Sequence, residues 1–201
     1  MGVTAPMALG QQSLGDQGGA TSLGGGVGLD SGVGDGAAQH LQHRLGCGLR
    51  GDEQAYLDLV MNPEIVHYCL DKLFELAYQS TLRIFETLPG QVSITYVAED
   101  LGGQDSLLFS PDHMREYLFP RMKRMMDLTR QNGSYVFTHS DGSFREVIPD
   151  LIGIGTQVLN PIQWRCKGMD REGPKRDLGA DLLFHGGVDN QYTLPLGRVR
   201  L

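Results

Sequence analysis

The chain has 201 residues, of which 40% are hydrophobic, and a formal net charge of −7. This length and apolar content are typical of one globular domain. The negative charge argues against a nucleic-acid binder, because a phosphate backbone needs a basic surface. No stretch has the roughly 18 uncharged apolar residues of a membrane span. Three scattered cysteines without CxxC spacing favour a reducing, cytoplasmic location over a disulfide framework.

The first quarter of the chain differs in composition from the rest. Residues 1–51 contain 15 of the 28 glycines, and the first aromatic residue is Tyr56. Such a segment buries too little apolar surface to offset its chain entropy, so we expect residues 1–50 to be disordered. It lacks the basic start and apolar run of a signal peptide. It also lacks a preceding strand and the Gly-x-x-x-x-Gly-Lys-Ser/Thr motif of a phosphate-binding loop.

Two helices are predicted at the start of the ordered domain, which we expect to span residues 51–201. The first covers about Asp52–Val60. The second begins at Asn62-Pro63-Glu64, where Asn62 is a typical N-cap and proline occupies the first helical position. Apolar residues at three- and four-residue spacing give the second helix one buried face: Val66, Cys69, Leu70, Leu73, Phe74 and Ala77.

A strand and a long helix follow. Residues 91–98 are rich in β-branched side chains and predict a strand. Ser110-Pro111-Asp112 begins a helix that continues to about Gln131. Its apolar residues form a predicted inner side, namely Met114, Leu118, Met122, Met125 and Met126. Its basic residues form a predicted solvated face, namely Arg115, Arg121, Lys123, Arg124 and Arg130.

Three further strands alternate with helical patterns. They are predicted at residues 135–138, 156–159 and 180–184, and Asp170 is expected to cap a helix that reaches Arg176. A βαβαβαβ series with right-handed crossovers gives a parallel sheet, whose strands end at one edge. We interpret it as part of a βα-barrel with function at its mouth.

Polar and titratable side chains follow each strand. The candidate pocket residues at this edge are Glu99, Asp100, Gln104, His139, Asp141, Asn160, Gln163 and Asp189. Ser140, His185 and Gln191 follow the same strands. Carboxylates beside a histidine could perform general acid/base chemistry. Alternatively, His139, Asp141 and Glu99 could bind a metal through imidazole and carboxylates. Spacing alone leaves both alternatives open.

An ordered set of motifs resembles the uroporphyrinogen decarboxylase superfamily. The motifs are Ala98-Glu-Asp-Leu-Gly-Gly-Gln104, Ser110-Pro111, Phe119-Pro120, His139-Ser-Asp-Gly142, Ile148-Pro-Asp-Leu-Ile152, Val158-Leu-Asn-Pro161, Gly168-Met-Asp170 and Gly186-Gly-Val-Asp189. The resemblance covers about residues 51–197 and implies a TIM (β/α)8-barrel. Family members include porphyrinogen decarboxylases of haem biosynthesis and methyltransferases that transfer methyl groups between corrinoid proteins and thiols.

The chain departs from the family in two respects. Only about four βα units are recognisable, so a partial barrel is expected, and the family's substrate-binding arginines and catalytic aspartate have no counterpart. We therefore assign no catalytic residue. Methyltransferase relatives carry a His-x-Cys zinc pair where this chain has His139-Ser140-Asp141. Asp141 cannot supply a thiolate.

Three functions are compatible with this resemblance. The first is a carboxy-lyase that acts on a porphyrinogen or another small polycarboxylate and requires no cofactor. The second is a methyltransferase relative that uses zinc or a corrinoid partner. The third is an inactive, truncated fragment. An open half-barrel leaves sheet edges uncovered, so we expect an oligomer or a complementing chain.

Overall fold

The computed structural model describes residues 51–189 and 191–197. The expectation of disorder in residues 1–50 therefore lies outside the described residues. Asn190 and residues 198–201, at the end of the expected domain, also lie outside them.

Two helices precede the sheet, as predicted. Helix α1 covers Asp52–Met61 and helix α2 covers Pro63–Thr87. The predicted apolar face of α2 is buried at Val66, Leu70, Phe74 and Ala77. The expected Asn62 cap is wrong in one respect: its side-chain amide donates to the carboxylate of Asp58 over 2.8 Å and makes no capping bond to α2.

Four parallel strands form the sheet in the order β1-β2-β3-β4. The strands are β1 (Ile94–Ala98), β2 (Tyr135–His139), β3 (Val158–Asn160) and β4 (Leu183–Phe184). Each lies within one of the predicted segments or extends it by one residue. Sequential order and parallel pairing confirm the predicted βαβαβαβ series and bring the carboxyl ends of the strands to one edge.

The connection from β1 to β2 is helical along most of its length. It comprises α3 (Pro111–His113), a π-helical segment (Met114–Leu118) and α4 (Phe119–Gln131). The Oγ atom of Ser110 accepts a hydrogen bond from the backbone N–H of His113, which confirms the predicted helix start. The π-segment was not predicted. Pro120, which has no N–H for the usual bond to the carbonyl four residues earlier, lies two residues after the segment.

The predicted solvated face is wrong at Arg121, which is only 6% exposed. The residues four positions before and after it, Tyr117 and Met125, are also buried, so Arg121 shares the inner face of the helix. Its guanidinium contacts the carboxylate of Asp71 at 2.6 Å and donates to the carbonyl oxygen of Tyr117 over 2.6 Å. The arginine side chain therefore connects α4 to α2.

Shorter helices complete the described architecture. They are a 3-10 turn (Arg145–Val147), α5 (Ile148–Ile154), α6 (Gly173–Leu178) and α7 (Thr193–Leu196). The expected cap at Asp170 is corrected, because α6 begins at Gly173 and its N-cap is Glu172. The Oδ1 atom of Asp170 accepts hydrogen bonds from the backbone N–H groups of Glu172 and Gly173 just before the helix.

The two faces of the sheet differ in burial. Val97, Val136 and Leu159 are buried on the side of α2 and α4. On the opposite face Tyr96 and Phe137 are half-buried, and their rings lie 5.4 Å apart between centroids. His139 follows Phe137 at the two-residue period of a strand, so it shares this face.

The α/β class and the parallel sheet are thus confirmed, while closure into a TIM barrel stays a prediction. The four described strands form an open row. Among residues 51–189 and 191–197, no helix is long and apolar enough to cross a membrane.

Candidate metal-binding site

The carboxyl edge of the sheet brings three predicted site residues together. Ala98 pairs with His139, and Asp100 and Asp141 each lie two residues after one member of this pair. One possible ligand atom from each of Asp100, His139 and Asp141 lies within 4.8 Å of the others. All three side chains are half-buried, which leaves the group accessible from one side.

Main-chain hydrogen bonds hold the two carboxylate-bearing loops against each other. The backbone N–H of Asp141 donates to Oδ1 of Asp100 over 3.2 Å. The buried hydroxyl of Ser140 accepts from the N–H of Leu101 over 3.1 Å and donates to the carbonyl of Asp141. The carboxylate of Asp100 is therefore held by a backbone atom of the neighbouring loop.

Two glycines set how closely these loops approach. Gly142 has φ of +85°, and a Cβ atom there would overlap the main-chain carbonyl of Gly102. A Cβ atom on Gly102 would overlap the backbone of Ser143. The N–H of Ser143 also donates to the carbonyl of Gly103 over 2.7 Å. Neither Gly102 nor Gly142 leaves room for a larger residue.

His139 contacts an acidic and an amide group through its two ring nitrogens. Its Nε2 atom lies 4.0 Å from Oδ1 of Asp100, and its Nδ1 atom lies 3.1 Å from Oδ1 of Asn160. Asn160 pairs with His139 in the register between β2 and β3. The predicted candidate Asn160 is therefore adjacent to the triad and contacts the ring nitrogen of His139 that is farther from Asp100.

Gln163, Gln104 and Cys166 form a second polar group beside the triad. Oε1 of Gln163 accepts from the N–H of Gly142 over 2.9 Å and lies 3.5 Å from the thiol of Cys166. Oε1 of Gln104 lies 3.7 Å from the same thiol. Burial raises the pKa of Cys166, and the nearby negative charges of Asp141 and Asp105 raise it further. Cys166 was not a predicted site residue, since nothing in its spacing along the sequence distinguishes it.

Glu99 does not join the triad: the possible ligand atoms that converge belong to Asp100, His139 and Asp141, whereas the expected set was His139, Asp141 and Glu99. Glu99 is 3% exposed and lines a cavity of about 20 Å³ between the sheet and its helices, together with Phe74, Leu118 and Arg121. The alternation of a strand sends consecutive side chains to opposite faces. That rule, applied at Ala98, would have selected Asp100 from the sequence.

Asp189 organises its own loop. Its carboxylate accepts from Nε of Arg165 over 2.6 Å, from the hydroxyl of Thr193, and from backbone N–H groups of Gln191 and Tyr192. Burial alone would raise the pKa of Asp189, but these hydrogen bonds outweigh burial and hold it well below its usual range. These contacts explain why the Asp189 carboxylate is buried, without any role for it in the candidate site.

Comparison with known proteins gives a distant likeness. No family model matches this chain, and no curated protein matches it significantly. A solved structure of a methyltransferase from Methanosarcina mazei is similar to 55% of this chain, with 15% sequence identity and a TM-score of 0.40. The similar part spans 31% of the methyltransferase chain. Membership of the uroporphyrinogen decarboxylase superfamily therefore stays a prediction.

Proposed function

We propose that this protein binds one divalent transition-metal ion through Asp100, His139 and Asp141 and uses it for group transfer, in the manner of the methyltransferases that its sequence resembles. The observation that carries the metal site is the convergence of three ligand atoms within 4.8 Å, from two adjacent strand ends. The reaction type rests on the motif resemblance.

The donor set suits zinc or manganese. Imidazole nitrogen is a common ligand for zinc, and carboxylate oxygen is accepted by both ions. Three protein ligands leave a coordination position open, which is typical of catalytic sites. A bound ion would act as a Lewis acid that lowers the pKa of a coordinated substrate thiol or hydroxyl.

The residues present have defined tasks in this proposal. Asp100 and Asp141 supply negative charge at one point, where a cation relieves the repulsion between their carboxylates. The backbone N–H of Asp141 orients the carboxylate of Asp100. Half-burial of all three side chains partly shields the site from water and leaves one side for a small-molecule substrate.

The carboxy-lyase alternative receives less support from the geometry. Two carboxylates at the edge repel a polycarboxylate substrate. Two arginines of the adjacent loops are already paired, Arg165 with Asp189 and Arg145 with Asp170 and Asp177. A polycarboxylate substrate at this edge would need basic groups that offset both carboxylates.

The test is metal binding by the full chain after chelator treatment, measured by titration calorimetry with Zn²⁺ and by the absorption of bound Co²⁺. We expect about one ion per chain. His139→Ala and Asp100→Asn should weaken binding by more than about 100-fold, since loss of an outer partner alone costs about 10- to 100-fold.

His113→Ala and Asp112→Asn are matched controls, because both residues lie in α3 outside the triad and should leave the affinity unchanged. Negligible binding by the wild type, or equal affinity in His139→Ala and His113→Ala, would exclude the metal site. Methyl transfer to a small thiol by the loaded wild type would then test the reaction type.

A further inference from the structure

Hydrogen bonds between side chains connect the ends of β2, β3 and β4. The Nδ1 atom of His139 lies 3.1 Å from Oδ1 of Asn160, and Nδ2 of Asn160 lies 2.7 Å from Nδ1 of His185. His185 also packs edge-on against Phe137, with ring centroids 5.7 Å apart. One amide thus contacts two imidazoles.

The main chain determines which way this amide faces. Nδ2 of Asn160 makes a long contact of 3.5 Å with the backbone carbonyl oxygen of His185. A carbonyl oxygen only accepts hydrogen bonds, so the NH₂ group of Asn160 must face β4. The amide oxygen consequently faces His139.

This orientation assigns the protons of both rings. Because the amide oxygen of Asn160 only accepts, Nδ1 of His139 must carry a proton and donate. The neutral ring of His139 then has its lone pair on Nε2, the atom that lies 4.0 Å from Asp100. Because the NH₂ group donates, Nδ1 of His185 must accept.

We propose that Asn160 and His185 are positioning residues that preset His139 in its metal-binding tautomer, with His185 acting through the amide of Asn160. The metal-related part of this inference rests on the proposed function. The tautomer itself is a property of the protein without metal and can be measured separately.

The preset matters because a neutral imidazole in water carries its proton mainly on Nε2. A metal at the triad would need the lone pair of that same atom. The hydrogen bond to one ring nitrogen decides which nitrogen is free. Asn160 supplies that bond, and His185 keeps the amide from rotating. Without His185, the amide retains only the long contact to the backbone carbonyl.

The experiment is imidazole NMR of the metal-free full chain, with ¹⁵N-labelled histidine and assignment through His139→Gln and His185→Gln. In the wild type we expect Nδ1 of His139 to be protonated and Nε2 to be bare, with the opposite arrangement in His185. Asn160→Leu should populate the Nε2-protonated form of His139 and weaken Zn²⁺ binding by about 10- to 100-fold.

Two variants separate positioning from a merely structural role. Asn160→Asp offers a carboxylate that still accepts from Nδ1 of His139, so it should retain the tautomer and near-wild-type Zn²⁺ affinity. His185→Phe keeps an aromatic ring against Phe137 but removes the acceptor, so it should give mixed tautomers of His139. Circular dichroism of each variant confirms folding.

The outcomes distinguish the two proposals. A wild-type His139 protonated on Nε2, or one tautomer shared by the wild type, Asn160→Leu and His185→Phe, would overturn the inference. The expected tautomers in a wild type that binds no Zn²⁺ would support the relay and overturn the proposed metal function.

Discussion

The backbone N–H of Asp141 donates to the carboxylate of Asp100 over 3.2 Å, so the loop after β2 orients an acidic side chain of the loop after β1. This contact joins two residues that are far apart in sequence. Together with His139, these two residues form the group of possible ligand atoms at this edge.

Gly142→Ala should destabilise the protein by about 3 kcal/mol. About 1–2 kcal/mol comes from a side chain at positive φ, and the rest from overlap with the carbonyl of Gly102. Gly133→Ala is the matched control, since Gly133 has φ of +74° but nothing within contact of an added Cβ. It should cost only about 1–2 kcal/mol. Urea unfolding measures both, and equal losses would contradict the close approach of the loops.

Arg121→Met should cost about 2 kcal/mol. The guanidinium is buried and bonded to a carbonyl and a carboxylate, but its partner Asp71 is largely exposed and can be rehydrated. Lys123→Met is the control, because the exposed pair between Lys123 and Asp127 is worth no more than about 0.5 kcal/mol. Denaturant unfolding compares the two variants. A loss in Lys123→Met as large as in Arg121→Met would show that the burial of Arg121 has no energetic consequence.

Asp189 should make stability depend on pH in the acid range. Its folded-state pKa lies below its ordinary value of about 3.9, so its contribution is complete above that value and is lost as pH falls below it. The difference in unfolding free energy between wild type and Asp189→Asn should therefore be larger at pH 6 than at pH 3. A pH-independent difference for Asp189→Asn would refute the assignment.

Cys166 should react slowly with iodoacetamide. Its thiol is 4% exposed, and its pKa is raised first by burial and then by Asp141 and Asp105, so little thiolate is present near pH 8. Cys69 on α2 is more exposed and should be alkylated faster. Mass spectrometry of the two peptides in a Cys47→Ser background gives both rates. Similar rates in the folded protein, with both thiols equally fast after denaturation, would contradict the buried environment.

Local sequence patterns were sufficient to predict the helices and strands and their order. Ser110-Pro111 marked a helix start, and runs of β-branched residues marked the strands, because capping and strand formation depend on neighbouring residues. The same patterns placed His139 and Asp141 at the correct edge. Strand alternation also predicts that Asp100, and not Glu99, shares the face of His139.

Other features depend on tertiary contacts. The spacing of Leu118, Arg121 and Met125 already predicts that Arg121 shares the inner helix face, but its pairing with Asp71 depends on the packing of α2 against α4. The position of Asp189 after a strand end predicts a pocket residue, but in the folded protein its own loop surrounds the carboxylate. The link from His139 through Asn160 to His185 joins three strand ends, and only the register of the sheet brings them together.

The contact between Gly102 and Gly142 also bears on how such a site can change during evolution. Main-chain atoms fix the gap between the loops, so the ligand side chains can be exchanged while the gap persists. In the proposed metal site, replacement of Asp141 by cysteine would alter metal preference at one step without rebuilding the scaffold. Among related sequences, the two glycines should accordingly vary less than Asp100, His139 and Asp141.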